Sequence, residues 1–489
     1  MTARRNALRC PALLAILCGA TFLTGCSLAQ HYERPIAPIP ARYGTSETKP
    51  KATAAASSPR CAQHPDPRLE RLLAAALDHN LDLKMAVARV EEARALNGIQ
   101  SAARLPTVSL EAPGINPVPR KRAVYTAGLA ISSYELDFFG KAKSLSDVAL
   151  HDYLATEQAQ RTARVSLMAE VARAYVIERA AAARAAVAQR AVASRKAGAD
   201  LMARRLVVGA SSPLELQQAR TLTASAEADL IEQTLIHERA MNQLSLLTGY
   251  SDGEGTGKDL PSGPAFGSDA FAAGWGPVEP GLPSDLLMAR PDIMAAEQRL
   301  MAANAQIGAA RAAFFPSIRL TATGGVASKE LGSLFTAASG AWQFVPQLSL
   351  PLFDGGQNQS NLDLARARET IAVVEYERTI QTAFREVSDA LAGQAMLDRE
   401  VSARKALRDT EEERHTLTMK RYRAGAIGYL EVLDAERSLL AADETLLDAQ
   451  RNRLENEITL YRVLGGASGV CQLAAGKTGS CAGNGTVMC

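Results

Sequence analysis

The chain repeats itself, and that duplication constrains its fold more than any other feature. Asn80-Leu81-Asp82-Leu83 matches Arg290-Pro291-Asp292-Ile293, Arg89 matches Arg299, and Leu105-Pro106-Thr107-Val108-Ser109-Leu110 matches Phe315-Pro316-Ser317-Ile318-Arg319-Leu320, all at a shift of 210. Further on, Val208-Gly209-Ala210 matches Ala424-Gly425-Ala426, Leu214-Glu215 matches Leu430-Glu431, and Leu247-Thr248-Gly249 matches Val463-Leu464-Gly465, at a shift of 216. Whatever unit one half forms, the other half must form too. The six-residue change in shift falls between the two sets, where a longer loop costs little.

Within each half, the pattern predicts a helix, two strands, a very long helix, a tip and a shorter helix. In the first repeat, 66–249, the hairpin is expected at about 105–137, the long helix at 140–204 and the last helix at 213–248. In the second, 285–466, the same elements fall at about 315–352, 356–421 and 428–464. Stretches 140–204 and 356–421 lack proline and carry aliphatics three and four apart, as at Leu364, Ile371, Val374, Ile380, Phe384, Val387 and Leu391. Each such helix would be roughly 97 to 99 Å long. Much of the apolar content is alanine and only 5% of residues are aromatic, which suits long helices better than an aromatic-rich core. Helices alone would also suit a soluble coiled coil.

Strand patterning favours a different answer. Trp342, Phe344, Pro346, Leu348 and Leu350 alternate with Gln343, Val345, Gln347 and Ser349; Tyr125, Ala127, Leu129 and Ile131 alternate with Thr126, Gly128, Ala130 and Ser132. An apolar face backed by a small or polar face is what a water-filled barrel in lipid requires, and so is a length of about ten residues, although a half-exposed soluble sheet alternates as well. Four strands cannot close a barrel, and an open edge in lipid leaves backbone groups unpaired. Strands that span would therefore oblige the chain to oligomerise, three copies giving twelve strands.

The amino terminus places the chain outside the cytoplasm. Arg4, Arg5 and Arg9 precede an apolar run and then Leu23-Thr24-Gly25-Cys26, a signal peptide over 1–25 that is too short to span a bilayer. Its end resembles a lipobox, which makes Cys26 the acylated first residue of the mature protein. Ser27, rather than Asp, follows it, as in lipoproteins of the outer membrane. Losing three arginines turns the formal +2 into −1, so the slight basicity belongs to the signal, and no basic stripe points to nucleic acid. Residues 26–65 form a Pro-rich extended leader, 250–284 a Gly/Pro-rich equatorial connector and 467–489 a tail. An oxidising compartment permits disulfides among Cys61, Cys471, Cys481 and Cys489, in pairings that sequence does not rank. No CxxC, HExxH or complete phosphate loop occurs: Gly476-Lys477-Thr478 has Cys471 where the first loop glycine belongs. No cofactor, metal site or catalytic constellation is expected.

Residues from about 66 to 466 resemble the TolC-type outer-membrane factors, in their lipoprotein branch. The resemblance rests on Cys26, on Arg290-Pro291-Asp292-Ile293 with Ala296-Glu297 and Leu300, on Phe315-Pro316-Ser317-Ile318, on Pro351-Leu352-Phe353-Asp354-Gly355-Gly356 and on Arg421-Tyr422-Arg423-Ala424-Gly425. It implies a homotrimer, with a twelve-stranded barrel in outer-membrane lipid continuing into a long α-helical barrel in the periplasm. It also implies a passive exit duct coupled to a periplasmic adaptor and an inner-membrane pump of the resistance-nodulation-division type. A pore-less coiled-coil lipoprotein and the duct of a type I secretion system are the alternatives.

Three sets of residues are expected to carry that function. Cys26 is the anchor. Small residues at Val208-Gly209-Ala210 and Ala424-Gly425-Ala426 let adaptor helices approach the tips, besides making the turn that a left-handed glycine favours. Leu430 and Asp434 are four apart on one helix face, so three copies would make apolar and acidic rings. With Glu431 they match the position at which the family closes its periplasmic end, whereas the first repeat has Gln218 opposite Asp434. The plainer reading of Glu431 and Asp434 is that of early-turn acids favoured by the helix dipole.

Overall fold

The computed structural model describes residues 28, 30–36, 38–40, 66–112, 125–249, 265–268 and 290–466. The expected signal peptide, Cys26, most of the leader and connector, the four candidate disulfide cysteines and the tail lie outside the described residues.

The element order shows the duplication directly. Helix α1 (Pro67–His79) is followed by α2 (Leu81–Ala102), strands β1 (Val108–Glu111) and β2 (Tyr125–Leu136), and helices α3 (Lys141–Val207) and α4 (Pro213–Thr248). Helix α5 (Pro291–Ala312), strands β3 (Ser317–Ser328) and β4 (Gly340–Ser349), and helices α6 (Gln357–Arg423) and α7 (Tyr429–Val463) follow. α2 and α5 are both 22 residues long and α3 and α6 both 67 residues, about 100 Å at the α-helical rise.

The first repeat differs from the expected pattern in opening with two helices. Asp66 caps α1, accepting a hydrogen bond from Arg68 N at 2.9 Å with Pro67 at the first helical position, and Asn80 breaks the chain into α2. The Asn80 carboxamide oxygen accepts from Leu83 N, while its Nδ2 donates to Leu247 O at 3.0 Å at the end of α4. In the second repeat Arg290 occupies the matching position and donates from Nη1 to Val463 O at 2.8 Å, at the end of α7. Leu247 and Val463 are themselves partners at the shift of 216. Two different side chains thus make the same closure, each satisfying a helix C-terminal carbonyl that has no intrahelical donor.

The described residues fall into two compact units, the first holding 28, 30–36, 88–112, 125–159 and 292–379, the second holding 38–40, 66–87, 160–249, 265–268, 290–291 and 380–466. In the second unit a core gathers Leu69, Leu72, Val171, Tyr175, Leu244, Leu454 and Ile458 from α1, α3, α4 and α7. Alanine spaces the helices: Ala172, Ala180 and Ala181 on α3, and Ala383 and Ala390 on α6, are nearly inaccessible. On α6 the buried stripe is Tyr376, Ile380, Ala383, Val387 and Ala390, the alternating four and three spacing of a coiled-coil seam. Leu364, Ile371 and Val374 lie off that seam and are exposed.

The first unit holds one antiparallel sheet in the order β1-β2-β3-β4. Its register puts Leu129 opposite Leu110 and Gly324, Ile131 opposite Val108 and Ala322, and Ile318 opposite Leu136 and Leu348. Between Ile131 and Tyr134 the register shifts, and Ser133 adopts φ 55°. That extra residue keeps the sheet two-faced: Ile131 and Tyr134 differ in parity, and the bulge returns Tyr134 and Leu136 to the apolar side.

Candidate functional site

Both tips are built alike. After α3, Gly209 at φ +73° ends the helix, with Gly209 N bonding Leu206 O and Ala210 N bonding Arg205 O at 2.8 Å; after α6, Gly425 at φ +71° makes the same pair to Tyr422 O and Arg421 O. These are Schellman closures, and a glycine meets their left-handed angle without strain. A Cβ at either glycine would meet nothing within 4 Å, so crowding inside the chain does not demand glycine there. The next helices start differently. Ser212 and Glu215 form a capping box with Pro213 at the first helical position, whereas α7 starts at Gly428 with no side-chain cap.

Behind the turns the tips are tied together. Met202, Leu216 and Ala219 form a small core with Leu206, Tyr422 and Tyr429 against it. Arg205 donates to the Tyr422 hydroxyl and lies over its ring, and the Tyr422 and Tyr429 rings are 5.3 Å apart. Gly198 on α3 leaves room for the Tyr429 hydroxyl, which a Cβ there would strike. At the surface Val207, Val208, Leu214 and Leu430 remain exposed, the first 87%.

Leu430, Glu431 and Asp434 line one groove of about 860 Å³, which includes Leu214, Gln218 and Arg414. Asp434 sits between two guanidiniums there: its Oδ1 accepts from Arg437 Nη2 at 2.8 Å, and its Oδ2 is 3.6 Å from Arg414 Nη1. The carboxylate is half exposed, so each pair contributes at most about 1 kcal/mol. Its charge is nevertheless compensated within the chain. Arg414 was not among the expected site residues; it lies on α6, twenty residues before Asp434, and nothing local in the sequence joins them.

The sheet's two faces have opposite chemistry. Val108, Leu110, Leu129, Ile131, Leu136, Ile318, Leu320, Trp342, Phe344 and Leu348 share one face by register; Ser109, Glu111, Thr126, Glu135, Arg319, Thr321, Thr323, Gln343, Gln347 and Ser349 share the other. On the apolar face Trp342 is 83% exposed and Leu348 68%, against the usual preference of such side chains. On the polar face Arg319 pairs with Glu135 at 3.4 Å, and Lys141 lies 3.6 Å from the same carboxylate. Among the described residues β1 and β4 are edges with no strand paired beyond them. Among the described residues, too, no helix is long and apolar enough to cross a membrane, and no group of acids, histidines and cysteines could hold a metal.

The leader is strapped to α5. Arg34 makes a bidentate pair with the buried Glu297 at 2.6 and 2.8 Å, and the Tyr32 hydroxyl donates to the same carboxylate at 3.3 Å. Burial, then the charge of Glu297, pushes the Tyr32 hydroxyl up to about 12. Asn304 Nδ2 holds Gln30 O at 2.9 Å, and Arg311 Nη1 reaches Leu28 O. The leader therefore runs antiparallel to α5, and Leu28 lies by the end from which the chain enters β3 at Ser317. Glu297 belongs to the sequence motif at 290–300, but no role was legible for it there; its partner is 263 positions away.

A four-stranded sheet with one lipid-compatible face, one wettable face and two open edges, on a chain of paired coiled-coil helices, defines a subunit of an outer-membrane channel. The chain belongs to the outer membrane efflux protein family, whose pattern matches residues 72–250 and 282–466, one segment for each repeat. It is 40% identical over 465 residues to the solvent efflux pump outer membrane protein SrpC of Pseudomonas putida, covering 92% of this chain and 97% of that one. It is likewise 40% identical over 468 residues to the cation efflux system protein CusC of Escherichia coli K12, covering 93% and 99%. Among solved structures it matches the open state of the Neisseria gonorrhoeae MtrE outer membrane channel with TM-score 0.81 and 35% identity, over 91% of this chain and 99% of that one. A CusC structure matches with TM-score 0.79 and 39% identity, over 90% and 100%.

Proposed function

We propose that three copies of this chain form the exit duct of a tripartite efflux assembly. Each copy contributes four strands to a twelve-stranded barrel, and Cys26 anchors it to lipid. The observation that carries this reading is the sheet: exposed Trp342, Phe344 and Leu348 on one face call for lipid, and open edges on β1 and β4 call for neighbouring copies. The exposed Leu364, Ile371 and Val374, seven and three apart on α6, form a second helical seam that a neighbouring copy would cover. Leu28 lies at the strand end of α5, and Cys26 precedes it by two residues in the sequence, which supports an acyl anchor at the bilayer end of the chain.

The tips at Val208-Gly209-Ala210 and Ala424-Gly425-Ala426 dock a periplasmic adaptor, whose partner is an inner-membrane pump of the resistance-nodulation-division type. Leu430, Glu431 and Asp434 narrow the periplasmic end, with Arg414 and Arg437 holding Asp434. The duct is passive and carries out no chemical step. Relatives named for solvent and for cation efflux are equally similar to it, so cargo selection is assigned to the pump and adaptor. Expression with its adaptor and pump in a strain lacking outer-membrane efflux channels should restore export, and Cys26→Ser should abolish fatty-acid labelling. Export unchanged by the chain, with trimers present in the outer membrane, would overturn the reading.

A further inference from the structure

The polar face of the sheet carries one acid that no described residue on that face neutralises. Strand register lines up Glu111, Gly128, Gly325 and Ala341 as one layer across β1 to β4. Three of its four positions offer a hydrogen or a methyl group. The glycines are required: a Cβ on Gly128 would lie 2.5 Å from Gly324 O and 2.7 Å from Gly325 Cα, and one on Gly325 would strike the backbone of Ala127 and Gly128. No side chain can therefore grow at that pair to shield the carboxylate. Glu111 is exposed, and its Oε1 accepts from Ser109 Oγ at 3.3 Å and Ser132 Oγ at 3.5 Å, two uncharged hydroxyls on the same face. The other charges described on that face are Glu135 and Arg319, which pair with each other, Lys141 lying beside Glu135.

We infer that Glu111 makes the barrel prefer cations. The inference rests on the trimeric reading above, in which the polar face lines the lumen and three copies place three carboxylates in one bare layer. Gly325 is eight residues beyond Ser317, so the layer lies roughly 27 Å along β3 from the end at which the chain enters the sheet. A twelve-stranded barrel of ordinary strand spacing and tilt has a backbone radius of about 12 Å. Three unit charges about 10 Å from the axis, in water at 0.1 M salt, enrich a monovalent cation roughly twofold and deplete an anion as much, a permeability ratio of about four. Raising the salt to 1 M shortens the screening length to about 3 Å and removes most of that preference.

The test is the reversal potential of the purified full-length protein in planar bilayers under a KCl gradient. It is read in the parent protein, whose tip acid Asp434 is already paired with Arg414 and Arg437, and again with Glu111→Gln or Glu111→Lys introduced. Expected are cation preference in the first at about 0.1 M, its loss in the second and anion preference in the third. Equal reversal potentials in all three would overturn the role of Glu111 while leaving the duct intact. Absence of any current from membrane-inserted trimers would overturn the duct, and this inference with it.

Discussion

Gly425 separates two jobs that its position could perform, turning the chain and admitting a partner. Its φ of +71° disfavours an alanine there by about 1–2 kcal/mol, since only glycine and, less readily, asparagine or aspartate enter that region routinely. Because a Cβ would touch nothing within 4 Å, no packing cost adds to it inside the chain. Gly425→Ala should therefore lower trimer stability by about that amount, and Gly425→Asn by well under ~1 kcal/mol, because asparagine tolerates the left-handed turn. Docking predicts the opposite order. Asparagine projects farther into the space an adaptor helix would occupy, so Gly425→Asn should lose more adaptor binding and export than Gly425→Ala. Thermal dissociation of the detergent-solubilised trimer reads the first quantity, and site-specific cross-linking to a co-expressed adaptor reads the second. If Gly425→Asn folds, cross-links and exports like the parent, the glycine serves the turn alone.

Three further outcomes follow from the packing. Arg290→Ala removes a bond to the Val463 carbonyl and the 3.2 Å pair with Glu386, whereas Asn80→Ala removes two uncharged bonds; losses of about 3–5 and about 1–3 kcal/mol are expected, and thermal melts giving the reverse order would refute the pseudo-equivalence. Gly128→Val should block barrel assembly, leaving monomers on native gels, because β3 backbone occupies the space its side chain needs; normal trimers would show that the close approach relaxes. Burial raises the Glu457 carboxyl to about 7, with Arg453 opposing the shift. A raised acid makes the folded state bind more protons, so stability falls as pH rises from about 4.5 to 7. Glu457→Gln should flatten that slope in pH-dependent melts and stabilise the protein by about 1–3 kcal/mol at about pH 8; an unchanged slope would mean that Glu457 is hydrated.

Much of the architecture was legible because it is periodic. Matches at constant shift announced two copies of a unit, and proline-free aliphatic spacing announced the long helices, which in the structure end at Val207 and Arg423. Alternation at Trp342 to Leu350 announced a two-faced sheet. What escaped depends on particular atoms meeting across long separations. The break at Asn80 is local, but its purpose, closing the end of α4, involves Leu247. The bulge at Ser133 carries no motif, since two adjacent serines read as ordinary polar strand positions. The pairs Arg34–Glu297 and Arg414–Asp434 join distant segments, so composition and spacing could not announce them. Glu111 lies just past the matched segment Leu105 to Leu110, and only strand register revealed how bare its layer is.

The central claim is that three chains close one barrel across lipid. Electron cryo-microscopy of the full-length protein in lipid nanodiscs tests it most directly. Threefold particles should appear, with twelve strands inside the disc, β4 of each copy against β1 of the next, and Trp342, Phe344 and Leu348 facing lipid. A monomeric particle, or a sheet lying outside the disc with its apolar face against protein, would contradict it.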